Sequence, residues 1–165
     1  ILNECNRSYV PLEKEIKMIE DYMALEKIRY GDRLKMELKI KGNCKNKMIS
    51  PLLLIPLVEN SFKHGTSKML QHPWVDLNIA IEGQYLFFLL NNSRPEEAIL
   101  PQHNGHIGLS NVKKRLQLLY PRAHELSIVN GTDSYEVFMK IDLGKEGGLA
   151  EGIDVKKESV KYELA

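Results

Sequence analysis

Residues 52–65 read LLLIPLVENSFKHG. An apolar run long enough for a buried helix ends in Glu59, Asn60, Lys63 and His64, although an unpaired buried charge is too costly for a core helix to keep. At 3.6 residues per turn, Pro56, Glu59, Asn60 and Lys63 fall within an arc of roughly 100°. Leu54, Leu57, Val58 and Ser61 face the other way. One side is built for a core, and the other presents a carboxylate, an amide and an ammonium together. An ordinary amphipathic helix would also carry a solvated polar face. Leu52 to Ile55 are too apolar for an exposed side, however, and Gly65 fits a C-terminal cap. A polar cluster on a largely buried helix points to a site. Ser50–Pro51 reads as an N-cap followed by proline at the first helical position, so the helix is expected over 51–64, with Pro56 kinking or dividing it.

Upstream, residues 11–30 (PLEKEIKMIEDYMALEKIRY) place Leu12, Ile16, Ile19, Met23 and Tyr30 on one stripe, the pattern of an amphipathic helix with Pro11 in its first turn. LKMELKI (34–40) alternates apolar and charged residues, as a half-exposed strand does. Downstream, WVDLNIAI (74–81) alternates again, Glu82–Gly83 makes a turn, and YLFFLLNN (85–92) returns as a more buried strand. Residues 93–106 hold two prolines and little periodicity, which reads as a lid or mobile loop. A helix is expected over 109–120, with Leu109, Val112, Leu116 and Leu119 inward and Pro121 ending it. Strands at 125–129 and 135–143 follow, joined across Asn130–Gly131. Trp74 is expected to pack at a sheet edge. From Gly144 the chain is Gly- and charge-rich, the composition of a disordered tail. This order of elements implies an α+β two-layer sandwich: a mixed, mostly antiparallel sheet with helices on one face.

The 165 residues are one domain's worth, with 43% hydrophobic and 27% charged residues, ordinary for a globular protein. A formal net charge of +1 gives no electrostatic case for binding nucleic acid. Cys5 and Cys44 form neither a disulfide framework nor a CxxC pair, which fits a reducing cytosol. The chain opens on Ile1 rather than Met and is read as a piece of something longer. His103 and His106 lack companion ligands, so no metal site is expected of them.

The second signal is NGHIGLSNVKKRL, residues 104–116. Gly105 and Gly108 lead into a helix N-terminus, whose free amides and positive dipole end suit a phosphate. Lys113, Lys114 and Arg115 read as a solvated basic face. LVENSFKHG resembles the N-box, and NGHIGLSNV the second glycine box, of the GHKL ATP-binding fold. The run LIPLVENSFKHG…GHIGLSNVKKRLQLLYP is most similar to sensor histidine kinases of the LytS type.

That resemblance, over about residues 11–143, implies three parts. Residues 1–32 would end a dimerisation and phosphotransfer segment, 33–143 would form the ATP-binding catalytic domain, and 144–165 would be the tail. The phosphoacceptor histidine would lie upstream. The implied cofactors are ATP and Mg²⁺. Asn60 would ligate Mg²⁺ bridging the phosphates, Lys63 would contact phosphate oxygens, and His64 would lie along the ribose or phosphates. Gly105, His106, Ile107, Gly108 and Leu109 would hold the β- and γ-phosphates. Glu59 would tune the Mg²⁺ shell or accept a proton, unless it only pairs with Lys63 at i,i+4. Asn92 stands where the family's adenine-reading Asp belongs, and restoring the Asp is expected to tighten binding. Arg94 and Glu96 replace glycines of that box, and His106 a glycine of the next.

The implied partners are the upstream helices, in a homodimer when full length, and a response regulator of the LytTR type. The piece itself would be largely monomeric. It would lie in the cytoplasm, the whole protein in the bacterial inner membrane. The alternatives are a hydrolytic GHKL ATPase or serine kinase, or a degenerate nucleotide-sensing module. Hydrolytic members carry a Glu four residues before the N-box Asn, where this chain has Pro56.

Overall fold

The computed structural model describes residues 9–66, 71–95 and 107–144. Helix α1 (Leu12–Tyr30) forms where the apolar stripe predicts it, burying Leu12, Ile16, Ile19 and Met23. Glu13 and Glu15 lie in its first turn and Lys27 and Arg29 in its last, each sign matching the helix dipole. Gly31 at φ +60 stops it, a conformation that residues with a Cβ adopt at a cost. Pro11 stands just outside the helix instead of in its first turn, because strand β1 (Val10–Pro11) pairs with β3 (Met48–Ile49). Two-residue strands are too short to leave any periodicity in a sequence.

Five strands make the main sheet: β2 (Lys35–Lys41), β4 (Trp74–Glu82), β5 (Tyr85–Ser93), β6 (His124–Asn130) and β7 (Ser134–Asp142). Their order is β2-β4-β5-β7-β6. Only β2 and β4 run parallel, which requires a crossover connection. Helix α2 (Ile55–His64) lies within that crossover. Register aligns the apolar alternation into rows on one face, Leu38–Leu77–Leu90–Val137–Ile128 and Ile40–Ile79–Phe88–Met139–Leu126. These rows, α1, α2 and α3 (Ile107–Leu119) share one hydrophobic core, the mixed two-layer sandwich anticipated. The opposite face carries Lys140, whose ammonium lies 4.8 Å from the Tyr85 ring centroid.

Three local expectations are corrected. Helix α2 starts at Ile55, and Pro56 occupies its first turn, where a missing N–H costs nothing and no kink arises. Residues 51–54 form an irregular turn instead, with Leu52 at φ +56. The β4–β5 turn sits at Gly83–Gln84, one residue later than expected, with Gly83 at φ +58 and Glu82 still paired to Tyr85. Trp74 stands at the end of an interior strand rather than on a sheet edge. The expected tail lies outside the described residues from 145 onward. Among the described residues no helix is long and apolar enough to cross a membrane.

Candidate functional site

Helix α2 divides as its sequence requires. Leu57, Val58, Ser61 and Phe62 are buried, Pro56, Glu59 and Asn60 are half-buried, and Lys63 is exposed. The polar face is therefore neither in the core nor freely solvated. His64 is the last residue of α2. Gly65 follows, its amide donating to Ser61 O at 3.1 Å. A β-carbon on Gly65 would lie 2.6 Å from Ser61 O and 2.8 Å from Ser93 O, and against the Asn92 amide. The end of α2 thus sits directly on the end of β5, and glycine makes that approach possible.

Asn92 is fully buried there. Its Nδ2 donates to Ser93 O at 3.0 Å, while Oδ1 has no partner among the described residues. Tyr135 faces Asn92 across the β5–β7 pair, and its hydroxyl is buried without a partner too. Burial pushes the Tyr135 phenol up, against the opposing pull of Arg94. Arg94 is itself buried, its amide donating to Asp133 O at 2.9 Å. Two orphaned oxygens on paired residues are unusual in an interior that normally satisfies its polar groups. They suit a ligand that brings its own donors.

The Nδ2 bond gives the same substitution a cost in the ligand-free protein. An aspartate at position 92 would lose that donor and set a carboxylate against the Ser93 carbonyl. Asn92→Asp is therefore expected to destabilise the ligand-free protein by about 1–3 kcal/mol, since an unsatisfied buried acceptor costs that much. Urea denaturation with and without nucleotide would measure it, and an unchanged midpoint would contradict the Asn92–Ser93 contact.

Helix α3 packs on α2 and buries Leu109, Val112 and Leu116. Ile107, Gly108 and Leu109 form its first turn, whose amides have no acceptors within the helix. Gly108 is exposed, with open space where a side chain would stand. Gly105, His106 and His103 lie outside the described residues, as does Glu96. Glu59 is close enough to α1 for its charge to add to burial and Glu26 in raising the Tyr22 phenol. The Tyr22 ring meets Phe62 edge-on at 5.6 Å.

Arg115 is not part of a solvated basic face. It is half-buried and donates to Leu52 O at 3.1 Å, to Ser50 Oγ at 2.7 Å and to Pro51 O. Lys113 and Lys114 are exposed as expected. Glu15 and Tyr135 also escaped the sequence reading. Each left a signal: Glu15 stands on the apolar stripe of α1 between Leu12 and Ile19, and Tyr135 heads the inward series Val137, Met139, Ile141.

A family described as Histidine kinase matches residues 1–34. Sensor histidine kinase BtsS of Escherichia coli (strain K12) is 29% identical over 127 residues, which cover 77% of this chain and 22% of that protein. Sensor protein LytS of Oceanobacillus iheyensis is 29% identical over 142 residues, covering 78% of this chain and 24% of that one. The chain therefore spans a quarter or less of the length of the curated relatives it matches. Among solved structures, the catalytic domain of histidine kinase ThkA superposes with a TM-score of 0.54 at 11% identity, over 82% of this chain and 95% of that one. The homologues of this chain are LytS-type sensor histidine kinases, and its fold is the GHKL fold of histidine kinase catalytic domains.

Proposed function

We propose that this chain is the ATP-binding catalytic part of a two-component sensor histidine kinase. It would transfer the γ-phosphoryl of ATP to a histidine upstream of Ile1, for relay to a response regulator. The observation that carries the reading is the orphaned, fully buried Asn92 Oδ1 beneath Gly65, at the end of the helix that bears Asn60 and Lys63. Asn92 Oδ1 would accept from the exocyclic amine of adenine. The first-turn amides of α3 at Ile107, Gly108 and Leu109, with Gly105 and His106 before them, would donate to phosphate oxygens.

Asn60 offers a half-buried amide oxygen, a hard donor that fits Mg²⁺ held by one or two protein groups plus phosphates. The cation would neutralise charge on the transferring phosphoryl. Lys63 and His64 would add donors along the phosphates, and Glu59 would sit beside Asn60 as a second acceptor or as a proton acceptor. Such transfer is mostly positioning and charge stabilisation. Residues 1–32 would then end the phosphotransfer segment and 33–143 form the catalytic domain, a division that the family match at 1–34 supports. In the whole protein we infer a homodimer anchored in the inner membrane with this part in the cytoplasm, acting on a LytTR-type regulator.

Calorimetric titration with ATP, with and without Mg²⁺, tests the reading. Mg²⁺-dependent binding is expected, and absence of any nucleotide binding would overturn it. Steady hydrolysis should be slow, about 10²–10⁴ below relatives with a Glu at the Pro56 position, the usual worth of a general base. Turnover at the rate of a dedicated ATPase would favour the hydrolytic alternative.

A further inference from the structure

The turn that leads into α2 is gripped by two opposite charges from two other helices. Glu15 on α1 accepts from Leu52 N at 2.6 Å and from Leu54 N at 3.3 Å. Arg115 on α3 donates to Pro51 O, to Leu52 O and to Ser50 Oγ. Tyr120, just beyond α3, accepts from Ser50 N at 2.9 Å. Pro51 O and Leu52 N–H belong to one peptide unit. Its negative end faces the guanidinium and its positive end faces the carboxylate, so the peptide dipole joins the two charges into one relay.

Three facts make this relay more than a surface bond. Glu15 is 1% exposed, so no solvent shell can replace the turn as its partner. Leu54, the N-cap of α2, makes no side-chain cap bond, and Glu15 supplies an anion at that helix start. Leu52 is held at φ +56, which a residue with a Cβ adopts only when its surroundings hold it there.

Resting on the functional reading above, we infer that Glu15 and Arg115 are positioning residues that lock the start of α2 to α1 and α3. Through them the setting of Asn60 and Lys63 follows α1, the helix nearest the upstream part of the protein. Two helix turns of α2 at most separate the gripped turn from Asn60, and α2 is a stiff rod over that distance. A shift of α1 that withdraws the Glu15 carboxylate removes both the cap and one end of the relay. The nucleotide face then loses its fixed orientation while the sheet beneath it stays folded.

The test uses the full chain with Glu15→Gln, Arg115→Lys and the double variant, and Asn60→Ala as the control for the functional reading. Mg²⁺·ADP is titrated calorimetrically, and amide hydrogen exchange is followed at residues 52–64 and across β5 and β7. Glu15→Gln keeps the volume and loses the charge. It should weaken Mg²⁺·ADP about 5- to 150-fold, the range of ordinary coupling between sites. Exchange should quicken at Leu52, Leu54 and along α2 through Lys63, with the sheet unchanged. The double variant should lose less than the product of the single losses, because both act on one relay. By reciprocity, saturating Mg²⁺·ADP should slow exchange at Leu52 and Leu54 in the unmodified protein but not in Glu15→Gln.

Glu15→Gln binding as tightly as the unmodified protein, while Asn60→Ala does not, would overturn the inference and spare the functional reading. Faster exchange spread evenly over α2 and the sheet would reduce Glu15 to a stability residue and overturn it equally. Should the unmodified protein bind no nucleotide, the functional reading falls, and with it any role of the relay in nucleotide binding.

Discussion

Asn60→Ala is expected to remove the Mg²⁺-dependent gain in nucleotide binding and leave the fold intact. Asn60 is half-buried on the middle of α2, so its removal opens no core cavity, and alanine is the better helix former. Stability should stay within about 0.5 kcal/mol, as for most substitutions away from packed features. Its carboxamide oxygen would be a direct protein ligand to the cation. Losing a bond to a charged group costs about 1.5–3 kcal/mol, a roughly 10- to 100-fold weaker affinity in Mg²⁺. With the metal chelated the two proteins should bind alike. Titration in both conditions decides the point: an equal gain from Mg²⁺ in both proteins would remove Asn60 from the site.

The second large effect is expected at Gly65. Its φ of −108° is not left-handed, and the argument made for it is steric. A β-carbon would press on Ser61 O and Ser93 O, two backbone oxygens that cannot swing aside, and on the Asn92 amide. Gly65→Ala must therefore lift the last turn of α2 away from β5. Overpacking of this kind costs about 1–3 kcal/mol, and Tm should fall by roughly 2–12 °C in a domain this size. Nucleotide affinity should fall more than stability does, because the same shift separates Asn92 from Asn60 and Lys63. Thermal denaturation and calorimetry on one preparation would read both. A variant as stable and as tight as the original would show that α2 does not end on β5 as described.

Much of this protein could be read from the order of its residues. The stripe Leu12, Ile16, Ile19, Met23 determined α1, and the alternations at 34–40, 74–81, 85–92 and 135–143 determined strands within a residue or two. Those signals are local: a helix or strand face repeats within a dozen residues, and burial of that face follows from its period. The polar face of α2 was legible for the same reason, and the half-burial of Glu59 and Asn60 is what its pattern implied.

What the tertiary structure decided is where polar backbone and side-chain groups find partners far along the chain. The helix signal at Ser50–Pro51 was sound by local rules, yet the amides of Leu52 and Leu54 are taken by Glu15, 37 and 39 residues away. The neighbouring carbonyls are taken by Arg115, 63 and 64 residues away. With those groups satisfied from outside, residues 51–54 need not be helical, and α2 begins where Pro56 can occupy a first turn. Arg115 belongs to a basic run that reads as surface, and Glu15 to a helix face that reads as apolar except for it. No window of sequence holds both with the turn between them. A buried hydrogen-bond acceptor is placed by the packing of whole helices on a sheet, and so the periodicity of each helix alone could not reveal it.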